Sequence, residues 1–339
     1  MRTQELAYFS KHGKPIWSEP RGLEAGYKWP QFSIHRGDLQ AVLLDALHQR
    51  IGVDRLFLGW ECVSVEQDDD GATIRFHNPA TGEMQPPQRA AAVVACDGIH
   101  SAIRRQLYPD EGPPRYSGVN MWRGVTRRPP FLSGASMVRA GWLATGKMVI
   151  YPIRNDVDGA GTQLVNWVAE IETPRHQQRD WNRRGRIEDF LPAFADWHFD
   201  WLDVPALIRG ADVILEFPMV DQDPLPRWSF GRVTLLGDAA HPMVPRGSNG
   251  AGQAILDARA LADCLAAGGD PAAALRDYEA RRLAVTSKIV LTNRERPPDA
   301  ILREVYLRTD DKPFAHIDDV ISRAELSAIS EGYKRVTGS

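Results

Sequence analysis

The amino-acid sequence predicts an α/β fold, in which a parallel sheet covered by helices is interrupted by a separate, mainly antiparallel sheet. Two strand ends predict the parallel sheet: an apolar run at 233–236 leads into Gly237-Asp238, and a run at 90–96 leads into Asp97-Gly98. The stretch between them starts with a proline-rich segment and contains strand candidates of a different texture. The two parts of the parallel sheet are therefore expected to flank an insertion.

Composition limits the possible function classes. The chain has 339 residues, 43% hydrophobic and 25% charged, which is typical of one large or two ordinary globular domains. A formal net charge of −3 gives no indication of nucleic-acid or anionic-membrane binding. No apolar run approaches the ~20 residues of a membrane span, and the N-terminus has no signal-peptide core. Cys62, Cys96 and Cys264 are far apart and predict reduced thiols in a cytoplasmic protein.

The first fifty residues predict two short strands and a helix. Strands are expected at 7–10 and 15–18, around the turn at 11–14. Apolar residues then recur at helical spacing from Leu39 to Leu47, so an amphipathic helix is expected over about 37–50. Arg36 lies at its start, where it is either a solvated side chain or a phosphate contact.

The remaining elements follow in chain order. A β-meander is expected over 56–66, 72–76 and 90–96, with Asp97 at the carboxyl end of its last strand. The middle of the chain predicts strands at 121–125, 148–152, 164–171 and 213–217 and a helix over 187–197. Helices are expected from about 250 and over 272–288, and the tail contains weaker helical pieces.

The loop after Gly237-Asp238 carries the strongest functional pattern. Asp238 stands past a strand end, where ligands bind in open parallel sheets, and the loop then contains Pro245, Gly247, Asn249 and Gly250 before a small-residue helix. Such a site offers a carboxylate to a hydroxylated ligand and a helix N-terminus to a developing anion. The alternative is a strand, turn and helix with ordinary turn chemistry.

The strings Gly237-Asp238, Ala240-His241-Pro242 and Pro245-x-Gly247 resemble the second fingerprint of the class A flavoprotein aromatic hydroxylases, the p-hydroxybenzoate hydroxylase-like family. The string Asp97-Gly98-x-x-Ser101-x-x-Arg104 resembles the Asp-Gly motif of the same family. The resemblance implies a set of FAD-binding residues: Arg36, Asp97, Gly98, Arg104, Asp238, Pro245, Gly247, Asn249 and Gly250. Within that set, Asp238 would bind the ribityl hydroxyls, and the loop and helix start would lie against the pyrimidine end of the isoalloxazine.

Further strings resemble the 5-methylphenazine-1-carboxylate monooxygenase branch of this family, up to about residue 296. They are Met121-Trp122-Arg123-Gly124-Val125, Leu164-Val-Asn-Trp-Val, Asp180-Trp-Asn-Arg, Pro218-Met-Val-Asp221 and Asp223-Pro-Leu-Pro226. Trp122, Arg123, Tyr151 and Trp167 are candidates for the substrate pocket on strands of the inserted sheet, and the alternative for each is a place in the core.

The resemblance implies a domain layout. A three-layer, Rossmann-like FAD-binding domain is expected from residues 1–106 and 216–296, a substrate-binding sheet domain from 107–215, and a helical tail from 297–339. The GxGxxG turn of the first βαβ unit is not found in the sequence. We therefore expect an N-terminally truncated FAD-binding domain that holds FAD weakly, since this turn is the pyrophosphate site.

The implied function is that of an FAD-dependent, NAD(P)H-using monooxygenase, which hydroxylates an aromatic, phenazine- or hydroxybenzoate-like substrate with molecular oxygen through a flavin hydroperoxide. No metal-ligand spacing and no Ser–His–Asp arrangement appears, and His241 is expected to be structural rather than a catalytic base. A homodimer is expected as one possible assembly. Two other functions stay open: a flavin-free remnant that binds an aromatic ligand or a partner, and a flavoprotein that carries out another oxidation.

Overall fold

The structure is a computed structural model that describes residues 1–174 and 184–337. Its strands are β1 (Arg2–Thr3), β2 (Glu5–Phe9), β3 (Pro15–Pro20), β4 (Gln31–Phe32), β5 (Glu61–Gln67), β6 (Ala72–His77), β7 (Gln88–Ala90), β8 (Val93–Ala95), β9 (Arg115–Arg128), β10 (Ser136–Trp142), β11 (Gly146–Arg154), β12 (Gln163–Glu172), β13 (His198–Phe199), β14 (Leu202–Asp203), β15 (Ala211–Asp221), β16 (Ser229–Phe230) and β17 (Val233–Leu235). Its α-helices are α1 (Arg36–Ile51), α2 (Ala102–Leu107), α3 (Val204–Arg209), α4 (Gly250–Ala266), α5 (Pro271–Glu295), α6 (Ala300–Thr309) and α7 (Arg323–Thr337). No helix in these ranges is long and apolar enough to cross a membrane.

The chain forms two compact units. The first, called the sheet unit here, contains residues 1–52, 118–219 and 298–332; the second, called the strand-end unit, contains residues 53–117, 220–297 and 333–339. Residues 1–52, expected with 53–106 in the FAD-binding domain, cluster with the large sheet. The assignment of these units to cofactor and substrate binding stays a prediction.

The sheet unit is built on a seven-stranded mixed sheet in the order β15-β9-β12-β11-β10-β2-β3. The pairs β9–β12, β12–β11 and β11–β10 are antiparallel, and β2 joins β10 in parallel, with Leu6 opposite Met137. Strand β10 was not predicted, because its sequence does not alternate simply between apolar and polar residues. One reason is that the buried Arg139 occupies a core position in an ion network.

One aromatic core and one ion network hold the sheet unit together. The core packs Trp122, Trp167 and Trp197 with the phenylalanines of the 190–199 segment. A separate cluster packs β2 and β3 against α6, α7 and the segment between these helices, through residues such as Leu6, Ile301 and Leu326. Within the same unit, the buried Asp299 at the start of α6 pairs with Arg139 and Lys147, and Lys147 also pairs with Glu170.

The strand-end unit contains the parallel pair that the sequence predicts. Strand β17 lies between β8, which is parallel to it, and β16, which is antiparallel. The meander β5-β6-β7 forms a second sheet. Apolar residues of both sheets, of α4 and of α5 form one core, which includes Val93, Leu235, Leu261 and Tyr278. The mixed α/β class, the multi-stranded sheet and the C-terminal helices agree with the sequence prediction.

The segment at 187–197 does not form the continuous helix that its sequence predicts. The helix expected over 187–197 is wrong: the chain forms two short 3-10 helices, Ile187–Asp189 and Leu191–Phe194. Pro192 accounts for the break, since it lacks the N–H that a continuous helix needs at that position. The motif Asp180-Trp-Asn-Arg lies outside the described residues.

Candidate functional site

Two acidic residues of the strand-end unit lie at the same edge of one sheet. Strand β17 pairs in parallel with β8, with Leu235 opposite Ala95, and the Leu236 N–H donates to the Ala95 carbonyl at 3.0 Å. Asp97 follows β8 and Asp238 follows β17, so both come directly after the carboxyl ends of neighbouring parallel strands. This edge is where open α/β sheets bind ligands.

Asp238 is an exposed carboxylate that faces the start of α4. A Cβ placed on Gly250 would lie 3.9 Å from Asp238 Oδ1. No hydrogen bond to the Asp238 side chain is found within residues 1–174 and 184–337. The preceding Gly237 has a φ of +62° and turns the chain there, and its N–H donates to Asp257 at 3.3 Å. Asp238 can therefore accept hydrogen bonds from a hydroxylated ligand.

The chain after Asp97 is held by side-chain caps. Asp97 Oδ2 accepts from the Ala102 N–H at 2.8 Å and from the Ile103 N–H at 3.3 Å, and the Ser101 hydroxyl accepts from the Arg104 N–H. Gly98 has a φ of +76°, a conformation that glycine adopts without strain. Asp97 thus has a structural task that Asp238 does not share.

Arg104 is buried, and its guanidinium is fully engaged within the unit. It forms a two-pronged ion pair with Glu111 and donates to the carbonyls of Ala239 and Ala240 at 3.0 Å and of Asp223 at 3.3 Å. These bonds occupy its five N–H donors. In this structure Arg104 fixes the turn that follows Asp238, and its predicted contact with the cofactor stays a prediction.

The start of α4 has open N–H groups. The Gln253 N–H donates to the Asn249 carbonyl at 2.9 Å, so the N–H groups of Gly250, Ala251 and Gly252 have no intrahelical acceptor. Asn249 occupies the N-cap position but makes no side-chain cap. A helix start of this kind carries partial positive charge and favours an anionic ligand.

A buried ionic triad supports this loop. His241 Nε2 contacts Asp257 Oδ2, Arg282 Nε donates to Asp257 Oδ1 at 2.7 Å, and Arg282 also donates to Gln253 at 2.6 Å. Burial would raise the pKa of Asp257, but the hydrogen bonds and charges of His241 and Arg282 outweigh burial and lower it. His241 is 2% exposed, as expected for a structural residue. Sequence reasoning missed Asp257 and Arg282, whose only signal was their charge on predicted helices.

The sheet unit contains a cavity of about 470 Å³. Its polar lining includes Arg36 at the start of α1 and Arg123, Tyr151 and Asn166 on β9, β11 and β12; His35, Arg127 and Asp212 also line it. Its apolar wall includes Ile153, Leu164, Val213, Leu215 and Phe217. The size and the mixture of apolar wall and few polar groups are typical of a small-molecule site.

Two of the four predicted pocket residues line this cavity, and two do not. Arg123 and Tyr151 line it, whereas Trp122 is 3% and Trp167 0% exposed in the aromatic core. Trp122 stacks on Phe190 at 5.0 Å between ring centroids, and the Trp167 indole donates to Thr126 at 3.1 Å. Successive strand residues point to opposite faces, which separates Trp122 from Arg123. Trp122 and Trp167 are therefore corrected to core residues.

Arg123 lies among polar side chains, and the charged group that acts on it is a second cation, Arg36. Arg123 Nη2 donates to Asn166 Oδ1 at 3.3 Å, and Arg123 also hydrogen-bonds Tyr151. Burial lowers the pKa of Arg123, and the charge of Arg36 adds to this effect. In the part of the chain that the structure describes, no carboxylate pairs with Arg123, and the Nδ2 of the buried Asn166 has no hydrogen-bond partner. The cavity thus offers unmatched hydrogen-bond donors.

Comparison with known proteins gives the family. The model of the FAD binding domain family matches residues 33–293. The chain is 41% identical over 337 residues to phenazine 1,6-dicarboxylic acid hydroxylase from Lysobacter antibioticus, covering 98% of this chain and 80% of the relative. It is 40% identical over 274 residues to a 3-amino-4-hydroxybenzoate 2-monooxygenase from Streptomyces platensis, covering 80% of this chain but only 64% of the relative.

A solved structure supports the same fold. HpxO from Klebsiella pneumoniae, complexed with FAD and uric acid, superposes with a TM-score of 0.73 at 25% identity and covers 99% of this chain and 79% of that one. The family match includes Asp97 and Asp238 with the loop to Gly250. The chain therefore belongs to the FAD binding domain family, among the class A flavin-dependent aromatic hydroxylases.

Proposed function

We propose that this chain uses FAD and NAD(P)H to hydroxylate a small aromatic acid, phenazine- or hydroxybenzoate-like, with molecular oxygen. The proposal rests on one observation in a chain of this family: Asp238, an exposed carboxylate, lies beside the uncapped N-terminus of α4. The names of the phenazine dicarboxylate and aminohydroxybenzoate relatives support the substrate class.

The residues present fit the flavin end of the cofactor. Asp238 would accept hydrogen bonds from the ribityl hydroxyls, and the free N–H groups from Gly250 onward would stabilise negative charge on the ring. Pro245 and Gly247 would shape the loop against it. Asp97 and Gly98 would serve the pyrophosphate region, and Arg36 the flavin. FAD, when bound, supplies the electron transfer and oxygen activation, while the chain supplies placement and charge.

The cavity of the sheet unit is proposed as the substrate site. Arg123 would pair with a carboxylate of the substrate, because it is half-buried and no described carboxylate neutralises it. Tyr151 and Asn166 flank it as direct neighbours across β11 and β12. The apolar wall would hold the aromatic ring. We also propose a cytoplasmic location and a homodimeric assembly.

The experiment is to purify the chain, record its visible spectrum, and follow NAD(P)H oxidation, oxygen uptake and product formation with phenazine-1-carboxylate and 3-hydroxybenzoate. Flavin absorbance with substrate-dependent oxygen uptake and a hydroxylated product supports the proposal. A colourless protein that still binds the aromatic acid favours the flavin-free alternative. A yellow protein that oxidises substrate without incorporating oxygen favours another oxidation.

A further inference from the structure

The C-terminal helix α7 reaches the loop that precedes α4 through one hydroxyl group. Tyr333 Oη donates to Asn293 Oδ1 at 2.8 Å and accepts from Asn249 Nδ2 at 2.7 Å. Tyr333 is 8% exposed and Asn293 is fully buried. The tail of the chain showed no functional signal in the sequence, yet it supplies a hydroxyl group to the strand-end unit.

The loop is shaped around this hydroxyl. A Cβ on Gly247 would lie 1.8 Å from Tyr333 Oη and 2.7 Å from both Asn249 Nδ2 and Asn293 Oδ1. The φ of Gly247 is not in the positive region, so the backbone conformation does not require glycine there. Glycine is required because the main chain passes so close to the Tyr333 hydroxyl that a side chain at this position would collide with it.

The same contact changes the start of α4. Asparagine is a preferred N-cap residue, whose side-chain oxygen normally accepts from an N–H of the first turn. Asn249 is at the N-cap position, yet it makes no such bond, and its amide is turned to Tyr333. The first N–H groups of α4 therefore stay without a side-chain cap.

We propose that Tyr333 is a positioning residue of the cofactor site: it holds Asn249 away from the start of α4, so that the N–H groups of Gly250, Ala251 and Gly252 remain available to the flavin. The flavin part of this inference rests on the proposed function. The positioning of Asn249 does not, and it can be measured without ligand.

The first test uses the ligand-free chain and Tyr333→Phe, which removes one oxygen atom. Without the hydroxyl, Asn249 is free to cap α4, and amide exchange at Ala251 or Gly252, the positions whose N–H an N-cap side chain reaches, should slow by about fivefold, the factor that corresponds to one neutral hydrogen bond. Tyr306→Phe on α6 is the matched control, because no described residue bonds the Tyr306 hydroxyl. Unchanged exchange in Tyr333→Phe would overturn the proposal.

A second variant keeps the test decisive if Tyr333→Phe does not fold. Because Asn249 does not cap α4 in the native chain, Asn249→Ala should leave exchange at these two amides unchanged. Faster exchange in Asn249→Ala would show that Asn249 caps the helix, and the proposal would be wrong.

The flavin arm measures the dissociation constant and the visible spectrum of added FAD. Tyr333→Phe should weaken FAD binding by about fivefold and shift the flavin absorbance, whereas Tyr306→Phe should do neither. A lower unfolding midpoint with unchanged affinity and spectrum would reduce Tyr333 to a structural residue. If the native chain binds no FAD, the proposed function fails, and the exchange experiments still decide the role of Tyr333.

Discussion

Asp257 and His241 form a buried pair, with His241 Nε2 at 2.5 Å from Asp257 Oδ2. The other carboxylate oxygen accepts from Arg282, and Oδ2 also accepts the N–H of Gly237. The Asp257 carboxylate on α4 thereby holds three parts of the unit together: the turn at Gly237, the side chain of His241, and Arg282 on α5. The geometry of the candidate site depends on this residue, although Asp257 contacts no solvent.

Replacing Asp257 with Asn should destabilise the chain strongly. Removing one partner of a buried ion pair leaves the other charge uncompensated, at a cost of about 3–5 kcal/mol. The measurement is the free energy of unfolding in urea at pH 7. Asp263→Asn is the control on the same helix, because its pair with Arg259 is exposed and is worth less than ~1 kcal/mol. Equal losses of unfolding free energy in both variants would show that the buried ion pair of Asp257 does not stabilise the chain more than the exposed pair of Asp263.

The same carboxylate should contribute to the acid sensitivity of the fold. The pKa of Asp257 is lower in the folded state than the ordinary value of about 3.9, so its contribution is complete above that value and is lost as the pH falls through the folded pKa. Unfolding midpoints between pH 6 and pH 3 should fall less steeply in Asp257→Asn than in the native chain. Asp263→Asn should keep the native slope.

Asp238→Ala should weaken FAD binding more than Asp97→Ala. Loss of a charge-assisted hydrogen bond costs about 1.5–3 kcal/mol, or roughly one to two powers of ten in the dissociation constant. Asp97→Ala should also lower stability by about 1 kcal/mol, because Asp97 caps the start of α2. Fluorescence titration with FAD and urea unfolding separate the two effects. Unchanged FAD affinity in Asp238→Ala would refute its assignment.

Arg123→Gln should raise the dissociation constant for an aromatic acid by about tenfold to a hundredfold, since a hydrogen bond to a charged group contributes about 1.5–3 kcal/mol. The affinity for the corresponding amide, which carries no charge, should fall much less in Arg123→Gln. Arg127→Gln is the control, because Arg127 lines the same cavity but is exposed on the rim near Asp212. Calorimetric titration of the native chain and both variants with 3-hydroxybenzoate and its amide gives the six dissociation constants that this comparison needs. Similar losses for acid and amide would exclude a carboxylate anchor at Arg123.

Lys147→Met should destabilise the sheet unit by about 3–5 kcal/mol, because Glu170 and Asp299 are both buried and would lose their shared cation. Lys312→Met removes an exposed pair with Asp310 and should change the free energy of unfolding by less than ~1 kcal/mol. Urea unfolding measures both. A loss below ~1 kcal/mol in Lys147→Met would show that the network does not stabilise the unit.

Local patterns were sufficient for the elements that carry the motifs. The apolar runs before Asp97 and Asp238 predicted two strand ends, and parallel pairing of β8 with β17 brings these ends to one edge. The glycines and small residues after Pro245 predicted the helix that begins at Gly250. Such features depend on neighbours within a few residues, so they can be inferred from the sequence.

What the sequence could not supply are partners that are distant along the chain. The motif placed Arg104 near the cofactor, but the fold brings carbonyls from Ala239 and Ala240 to its guanidinium and removes its free donors. Trp122 and Arg123 are adjacent in sequence, and only the sheet decides which of them faces the core. The contact between Tyr333 and Asn249 joins residues 84 positions apart. Tertiary packing determined these roles because each depends on which groups fill the hydrogen-bonding and apolar space around a side chain.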